Sequence, residues 1–579
     1  MVANVHPRFP RKYVPTDLKL RDFADVEPLY RELLDRSVSS PGELEKWLAD
    51  LSELFAVVDE VGNRRYIDKS CHTDDDALEA AYLKYVEEID PKIKPLFFQL
   101  QKKFLDSPHR AAMTGGDRRY AILERKWRAD VELFREENVA LETEVTKIVN
   151  EYDKTCGAMM VTFRGVEYTL QQLARFSEEP DRATREEAWR LVASRRLQDR
   201  EKIESYFDQL LPLRETIARN AGVSDFRAYC WTAYKRFDYT PDDCLRFADA
   251  IAQSVVPLVH EFDRQRKRDL GQEKLRPWDT AVDVKSRPPL RPFAESRTDL
   301  LIDKTKEIFS RMSPQLAAEF ETLRANNNLD LDSRKGKQPG GYASYLEEVR
   351  EPFIFMNAAG MQHDVTTLLH EGGHAFHALA ARNENLVFLR TAPIEFCEVA
   401  SMSMEALGAD HMDVFYANPA DAVRAKRDQF ERVVRILPWI ATIDSFQHWL
   451  YTHPGHSRGE RTAEWLRLLD RFGPSPDHFD WSGLEEHRTS MWQRQLHLFQ
   501  VPFYFVEYGI AQLGALQLWM KSKENPRQAL ANYRAALALG GTRPLPELFA
   551  AAGIRFDFSE KTLRPLMNAV REELASLPE

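Results

Sequence analysis

Apolar residues along most of this 579-residue chain recur at three-, four- and seven-residue steps, the period of helices with one buried face. The longest run spans 117–152, where Leu123, Trp127, Val131, Phe134, Leu141, Val145 and Ile148 sit between charged residues, and it predicts one long amphipathic helix. Residues 157–169, GAMMVTFRGVEYT, switch to a period of two around Arg164-Gly165 and predict a short hairpin. Helical periodicity resumes over 184–268, with Ser224-Asp225 as a candidate helix start. Residues 352–359, PFIFMNAA, form a short apolar run that predicts a buried or edge strand, and the pattern after it is again mostly helical. The fold class is therefore mainly α with a small β element. The change of pattern after the hairpin places a boundary near 200, with an N-terminal helical domain over 1–200 and a second domain over 201–579.

Charge and cysteine content narrow the function classes. With 80 Lys+Arg against 91 Asp+Glu the formal net charge is −11, which disfavours nucleic acid and anionic membrane surfaces as partners. The basic run RQRKR (264–268) reads as a solvated helix end, and SRKGKQPGGYASY (333–345) lacks the GK[ST] ending of a phosphate loop and reads as a flexible connection. Cys71, Cys156, Cys230, Cys244 and Cys397 are scattered without a CxxC pair, so neither a disulfide framework nor a cysteine metal site is expected. The first twenty residues lack the apolar core of a signal peptide, and no apolar stretch is long enough to span a membrane; a cytoplasmic protein is expected.

Residues 364–379, DVTTLLHEGGHAFHAL, carry the chemistry. Asp364 is a candidate N-cap, and Val365, Leu368, Leu369 and Phe376 supply an apolar side, so the segment predicts a helix. At about 100° per residue, His370 and His374 project from one face roughly 5–6 Å apart, close enough to share one zinc ion. Glu371 lies one residue round, poorly placed as an equal ligand but able to reach a metal-bound water as general base. Gly372 and Gly373 each cost about 1 kcal/mol relative to alanine inside a helix, which predicts a backbone close by, with 352–359 or a bound peptide as candidates. His363 and His377 fall on other parts of the helix surface and read as structural.

A catalytic zinc normally has three protein ligands and an open position, so a third is needed. The apolar segment PIEFCEVASMSMEALG (393–408) predicts a second buried helix bearing Glu395, Glu398 and Glu405. Glu398, Met402 and Glu405 share a face, whereas Glu395 sits at the helix start, where the dipole favours an acid in any case. We therefore expect Glu398 as the third ligand and Glu405 as a hydrogen-bond partner of a liganding histidine.

HEGGHAFH followed by EFCEVASMSME, with Glu398 28 positions after His370, resembles the thimet oligopeptidase and oligoendopeptidase F family of zinc metallopeptidases. KGKQPGGY (335–342), PFIFMN, HLFQVPFYFVEYGIAQLGALQ (497–517) and PLPELFAAAGI (544–554) are similar to its oligoendopeptidase branch. The resemblance implies a large helical body split by a deep channel, with one zinc ion per chain at its floor and oligopeptides as substrates, their size limited by the channel walls. It assigns the metal to His370, His374 and Glu398, the base to Glu371, and hydrogen bonding of the substrate oxyanion to His497, Tyr504 and Tyr508. The step from His497 to Tyr504 is longer than in the thimet branch, and Ala511 replaces a further tyrosine there, so Tyr504 and Tyr508 stand as alternative donors.

The expected reaction is hydrolysis of internal peptide bonds, with an extended peptide pairing along the edge of 352–359. A zinc carboxypeptidase or dipeptidyl carboxypeptidase is the rival enzyme; it requires a cationic clamp for a free C-terminus, and no single Arg or Lys identifies itself as one. A non-catalytic peptide-binding clamshell with structural zinc is disfavoured, because such a site favours four protein ligands without an adjacent base.

Overall fold

The computed structural model describes residues 9–294, 297–334, 336–338 and 340–578. The chain is mainly α-helical, as the periodicity predicts. The stretch 117–152 is nevertheless two helices, α1 (Arg118–Leu133) and α2 (Glu136–Gly157), because Phe134 and Arg135 adopt extended backbone between them. Tertiary contacts account for the break: Phe134 stacks on Phe98 at 4.3 Å, and Arg135 donates through Nη2 to the carbonyl of Ala221 at 3.0 Å. Each helix keeps its own apolar stripe, so the periodicity conceals the interruption. The hairpin forms as expected, with β1 (Met160–Phe163) and β2 (Val166–Thr169) joined by Arg164 and Gly165, both at positive φ.

Two large hydrophobic cores, with a small third cluster of Ile67, Cys71, Leu346, Val349 and Phe355, organise the described residues. One gathers residues from Val14 to Trp127 with Leu386 and Leu389, and the larger one runs from Ile148 to Leu574. The hairpin packs with the larger core. RQRKR ends the helix α3 (Val256–Asp269), where Arg266 Nη1 donates to the Val282 carbonyl at 2.6 Å. None of the described helices is long and apolar enough to cross a membrane.

Beside the larger core lies a three-stranded sheet of β3 (Leu329–Asp332), β4 (Tyr342–Leu346) and β5 (Glu351–Ala358) in the order β3-β5-β4. This corrects the expectation for 352–359: β5 is the central strand, parallel to β3 and antiparallel to β4, so both its edges are taken and a peptide cannot add to it. In the connection before β4, Lys335 and Pro339 lie outside the described residues, and Lys337 between them is held. Lys337 Nζ donates to the Asp330 carboxylate and carbonyl, the Asp332 carbonyl and the Met356 carbonyl at 2.6–3.0 Å, tying β3 to β5.

After Gly360, at φ 79°, the chain enters α4 (Gln362–Ala381). The Asp364 carboxylate accepts the N–H groups of Ala359 and Met361, each at 2.8 Å, so it closes the helix start from the first turn instead of standing at the N-cap. α5 (Ile394–Gly408) packs across α4, and α6 (Pro419–Thr452) and α7 (Val506–Glu524) complete its surroundings. The glycine pair faces helices and not the sheet: a Cβ on Gly373 would lie 2.4 Å from the Ala400 carbonyl oxygen and 2.5 Å from Ser401 Cα of α5, and one on Gly372 would meet the ring of Phe309, from the helix Thr298–Met312, at 2.7 Å. Gly373→Ala should therefore force two backbones apart, costing about 1–3 kcal/mol of stability. Gly372→Ala should cost less, because a ring can rotate and a helix backbone cannot; denaturant unfolding of both variants checks the order.

Candidate functional site

One turn apart on α4, the His370 and His374 rings lie 5.0 Å apart at an angle of 78°. From α5, Glu398 Oε2 comes within 3.4 Å of His370 Nε2 and 3.6 Å of His374 Nε2. An ion roughly 2.0–2.2 Å from two imidazole nitrogens and a carboxylate oxygen fits over a triangle with sides of this length. The structure thus brings His370, His374 and Glu398 together as a set of possible metal donors.

The surroundings orient these donors. His370 Nδ1 lies 2.6 Å from Glu405 Oε1, and Glu405 Oε2 accepts from Gln429 Nε2 at 3.0 Å. With Nδ1–H donated to a carboxylate, the Nε2 lone pair of His370 is directed at the triangle. Glu398 accepts from Ser401 Oγ at 3.0 Å on Oε2 and from the Tyr504 hydroxyl at 2.7 Å on Oε1. Glu371 is buried, and its Oε2 finds no hydrogen-bond partner among the described residues. Burial pushes its carboxyl up to about 7, with His370 opposing and Glu398 and Glu405 reinforcing the rise. Burial would lower His370, but the carboxylates of Glu405, Glu398 and Glu371 carry it to about 10 among these side chains alone. Three carboxylates around two imidazoles make an environment that attracts a cation.

Glu395 is elsewhere. It accepts from the Tyr239 hydroxyl at 2.6 Å and lies 3.8 Å from Arg236 Nε, in a buried cluster where Arg236 pairs with Glu507. His363 lies against Arg432, 2.5 Å from its Nη1, and His377 is buried outside the triangle. A second buried trio, Cys244, Asp444 and His448, has the compactness of a donor set. There Arg227 Nη1 lies 3.4 Å from His448 Nδ1, and His448 Nε2 lies 3.3 Å from Asp444 Oδ2 but makes no hydrogen bond among the described residues.

His497, Tyr504 and Tyr508 form a cluster against the donor triangle, their rings 5.6–5.9 Å apart. The Trp439 indole can only donate, and it donates to Gln495 Oε1 at 3.0 Å, so Gln495 Nε2 donates to His497 Nδ1 at 2.7 Å. His497 then carries its proton on Nε2, 3.4 Å from the Tyr508 hydroxyl. Burial holds His497 down to about 4, so it is neutral near pH 7.

Sequence reasoning missed what holds this cluster. Phe503 adopts φ 66°, its carbonyl accepts from Arg236 Nη2 at 2.6 Å, and its N–H donates to Gln447 Oε1 at 2.6 Å, which together fix the turn before Tyr504. The available signal was Glu507, a carboxylate on the apolar helix α7, which implies a buried cation somewhere.

Comparison with known proteins bears on this geometry. Peptidase family M3 matches residues 175–567, and the peptidase M3 N-terminal domain matches 16–134. The chain is 24% identical over 368 residues to an oligoendopeptidase F homolog of Borreliella burgdorferi, covering 59% of each chain. It is 21% identical over 326 residues to one of Lactococcus lactis subsp. lactis, covering 54% of this chain and 50% of that one. The alignments thus span about half the length of these curated relatives, or slightly more. The solved structure of PZ peptidase A with an inhibitor superposes with a TM-score of 0.91 at 26% identity, over 98% of this chain and 99% of that one. A family match over most of the sequence, joined to a structural likeness over nearly all of it, means that the chain belongs to peptidase family M3.

Proposed function

We propose that this protein is a cytoplasmic, zinc-dependent endopeptidase that hydrolyses internal bonds of short oligopeptides. The observation that carries the reading is the triangle of His370, His374 and Glu398 with the unpartnered Glu371 carboxylate beside it. Two imidazole nitrogens and one carboxylate oxygen are a donor set suited to a single catalytic zinc ion, which would supply Lewis acidity to the substrate carbonyl and lower the pKa of water. Glu371, beside the donor triangle, takes a proton from the attacking water and returns it to the leaving nitrogen.

The hydrogen-bond directions divide the work of the two tyrosines. Tyr504 donates to Glu398, so it acts by orienting that carboxylate. His497 presents Nε2–H toward the Tyr508 oxygen, which leaves the Tyr508 hydroxyl proton to be donated to a substrate oxyanion. An extended peptide would pair with β4, the edge strand whose half-buried Tyr345 is within electrostatic reach of Glu398 and Glu371. Such pairing suits short or unfolded chains and excludes folded proteins.

Glu371→Gln should retain stoichiometric zinc and lose about 10²–10⁴ in kcat. Metal analysis with peptide turnover tests this, and normal turnover in a zinc-loaded variant removes Glu371 from the role. Replacing Glu398 by Ala should release zinc on dialysis, while Glu395→Ala should keep the metal and lose stability, because Arg236 forfeits a buried partner. The opposite order of metal retention refutes the donor assignment. Tyr508→Phe and His497→Ala should lower kcat by about 10²-fold or more with little change in KM. Tyr504→Phe should weaken zinc retention more than either; steady-state kinetics and zinc titration on the three variants distinguish the roles.

A further inference from the structure

The reaction as described leaves unused a group of cations where α1 meets the start of α5. A cavity of about 240 Å³ lies there, lined by Arg125, Lys126, Lys235 and Arg543, with Asp238 the one carboxylate in its wall. Several of these charges are engaged. Lys235 pairs with Asp130, Asp238 accepts the Leu545 N–H at 3.0 Å, and the Arg125 guanidinium lies 4.1 Å over the Phe237 ring. Lys126 differs from them: among the described residues it has no ion-pair partner, and the acceptor of its Nζ is the Phe388 carbonyl at 3.4 Å. Burial lowers its ammonium to about 8, so it is still charged near neutrality. A cation without a counter-ion among the described residues, in the wall of an open cavity, makes a place for an anion.

Two further features specify which anion. Ile394, the first residue of α5, forms part of the wall, and at four residues before Glu398 it lies about 40° round the helix and about 6 Å along its axis. The cavity wall and the metal-donor face therefore lie on neighbouring parts of one helix. The walls also mix cations with Ile122, Ala233, Phe237, Ile394 and Pro544, which suits a terminal amino-acid residue, with its side chain against apolar surface and its carboxylate at the ammonium, better than a bare inorganic anion. The same charges repel the amino end of a peptide.

We propose that this cavity receives the C-terminal residue of the oligopeptide and that Lys126, assisted by Arg543, holds its α-carboxylate. The proposal rests on the peptidase reading above and adds a fixed polarity to substrate binding. Because the contact is remote from the reacting bond and equally present before and during reaction, it acts on KM and leaves kcat unchanged.

The test uses the zinc-loaded protein and internally quenched hexapeptides of one sequence, ending in a free carboxylate or in an amide. The unaltered protein should show a KM about tenfold lower for the free acid at similar kcat. Lys126→Met should raise the acid's KM to that of the amide, and Arg543→Gln should do so in part, both with unchanged melting temperature. Equal KM values for acid and amide in the unaltered protein overturn the proposal, with no variant needed. So does a preference that survives both substitutions. If neither peptide is cleaved, the peptidase reading fails and the proposal with it, an outcome distinct from cleavage without end-group preference.

Discussion

A Cβ on Gly373 would lie 2.4 Å from the carbonyl oxygen of Ala400, so α4 and α5 meet backbone to backbone, and the donor triangle depends on that separation. Glutamate is a short carboxylate compared with the width of a helix pair, which packs at roughly 8–10 Å between axes when side chains intervene. Only with a glycine at the crossing does Glu398 on one helix reach the Nε2 atoms of both histidines on the other. The glycine's conformational cost inside α4 is thus offset by packing that no larger residue allows. α7 also packs against α5 and carries Tyr508, whose ring lies against those of Tyr504 and His497.

Charge placement follows from the same burial. α5 carries three carboxylates, and in a low-dielectric interior each needs its own compensation. Glu405 is held by His370 and Gln429, Glu398 by Tyr504 and Ser401 at the triangle, and Glu395 by Arg236 and Tyr239. Arg236 serves twice, since it also pairs with Glu507 and anchors the Phe503 carbonyl. The turn that positions Tyr504 is therefore tied to the base of the helix that positions Glu398, and the two tyrosines cannot drift independently of the donor triangle.

Local periodicity by itself makes part of this site legible. His370, Glu371 and His374 fall on one helix, and Glu398 is separable from Glu395 by helix face alone, because those relations depend on 3.6 residues per turn and nothing else. What periodicity hides depends on partners distant in sequence. The break at Phe134 is made by Phe98 and Ala221, the order β3-β5-β4 by Lys337 bridging strands, and the close neighbour of Gly373 is α5, not the strand just upstream. An apolar run such as 352–359 states that it is buried but not on how many edges it is paired, and here the difference moves the proposed peptide from β5 to β4.

Two histidines in this site are set to opposite tasks by the same residue type. His370 has Nδ1 against a carboxylate that can only accept, so it must donate there and present a lone pair from Nε2. His497 has Nδ1 against the amide nitrogen of Gln495, so it must accept there and present a proton from Nε2. Glu405 fixes the choice for His370 directly, and for His497 a glutamine relays it. Gln429 is oriented by the Glu405 carboxylate it donates to, and Gln495 by the Trp439 indole it accepts from. The proposed cation ligand and the proposed oxyanion donor are both imidazoles, and neither ring's own position settles which it is. The distinction is fixed one residue further out, by a group that can act in only one direction.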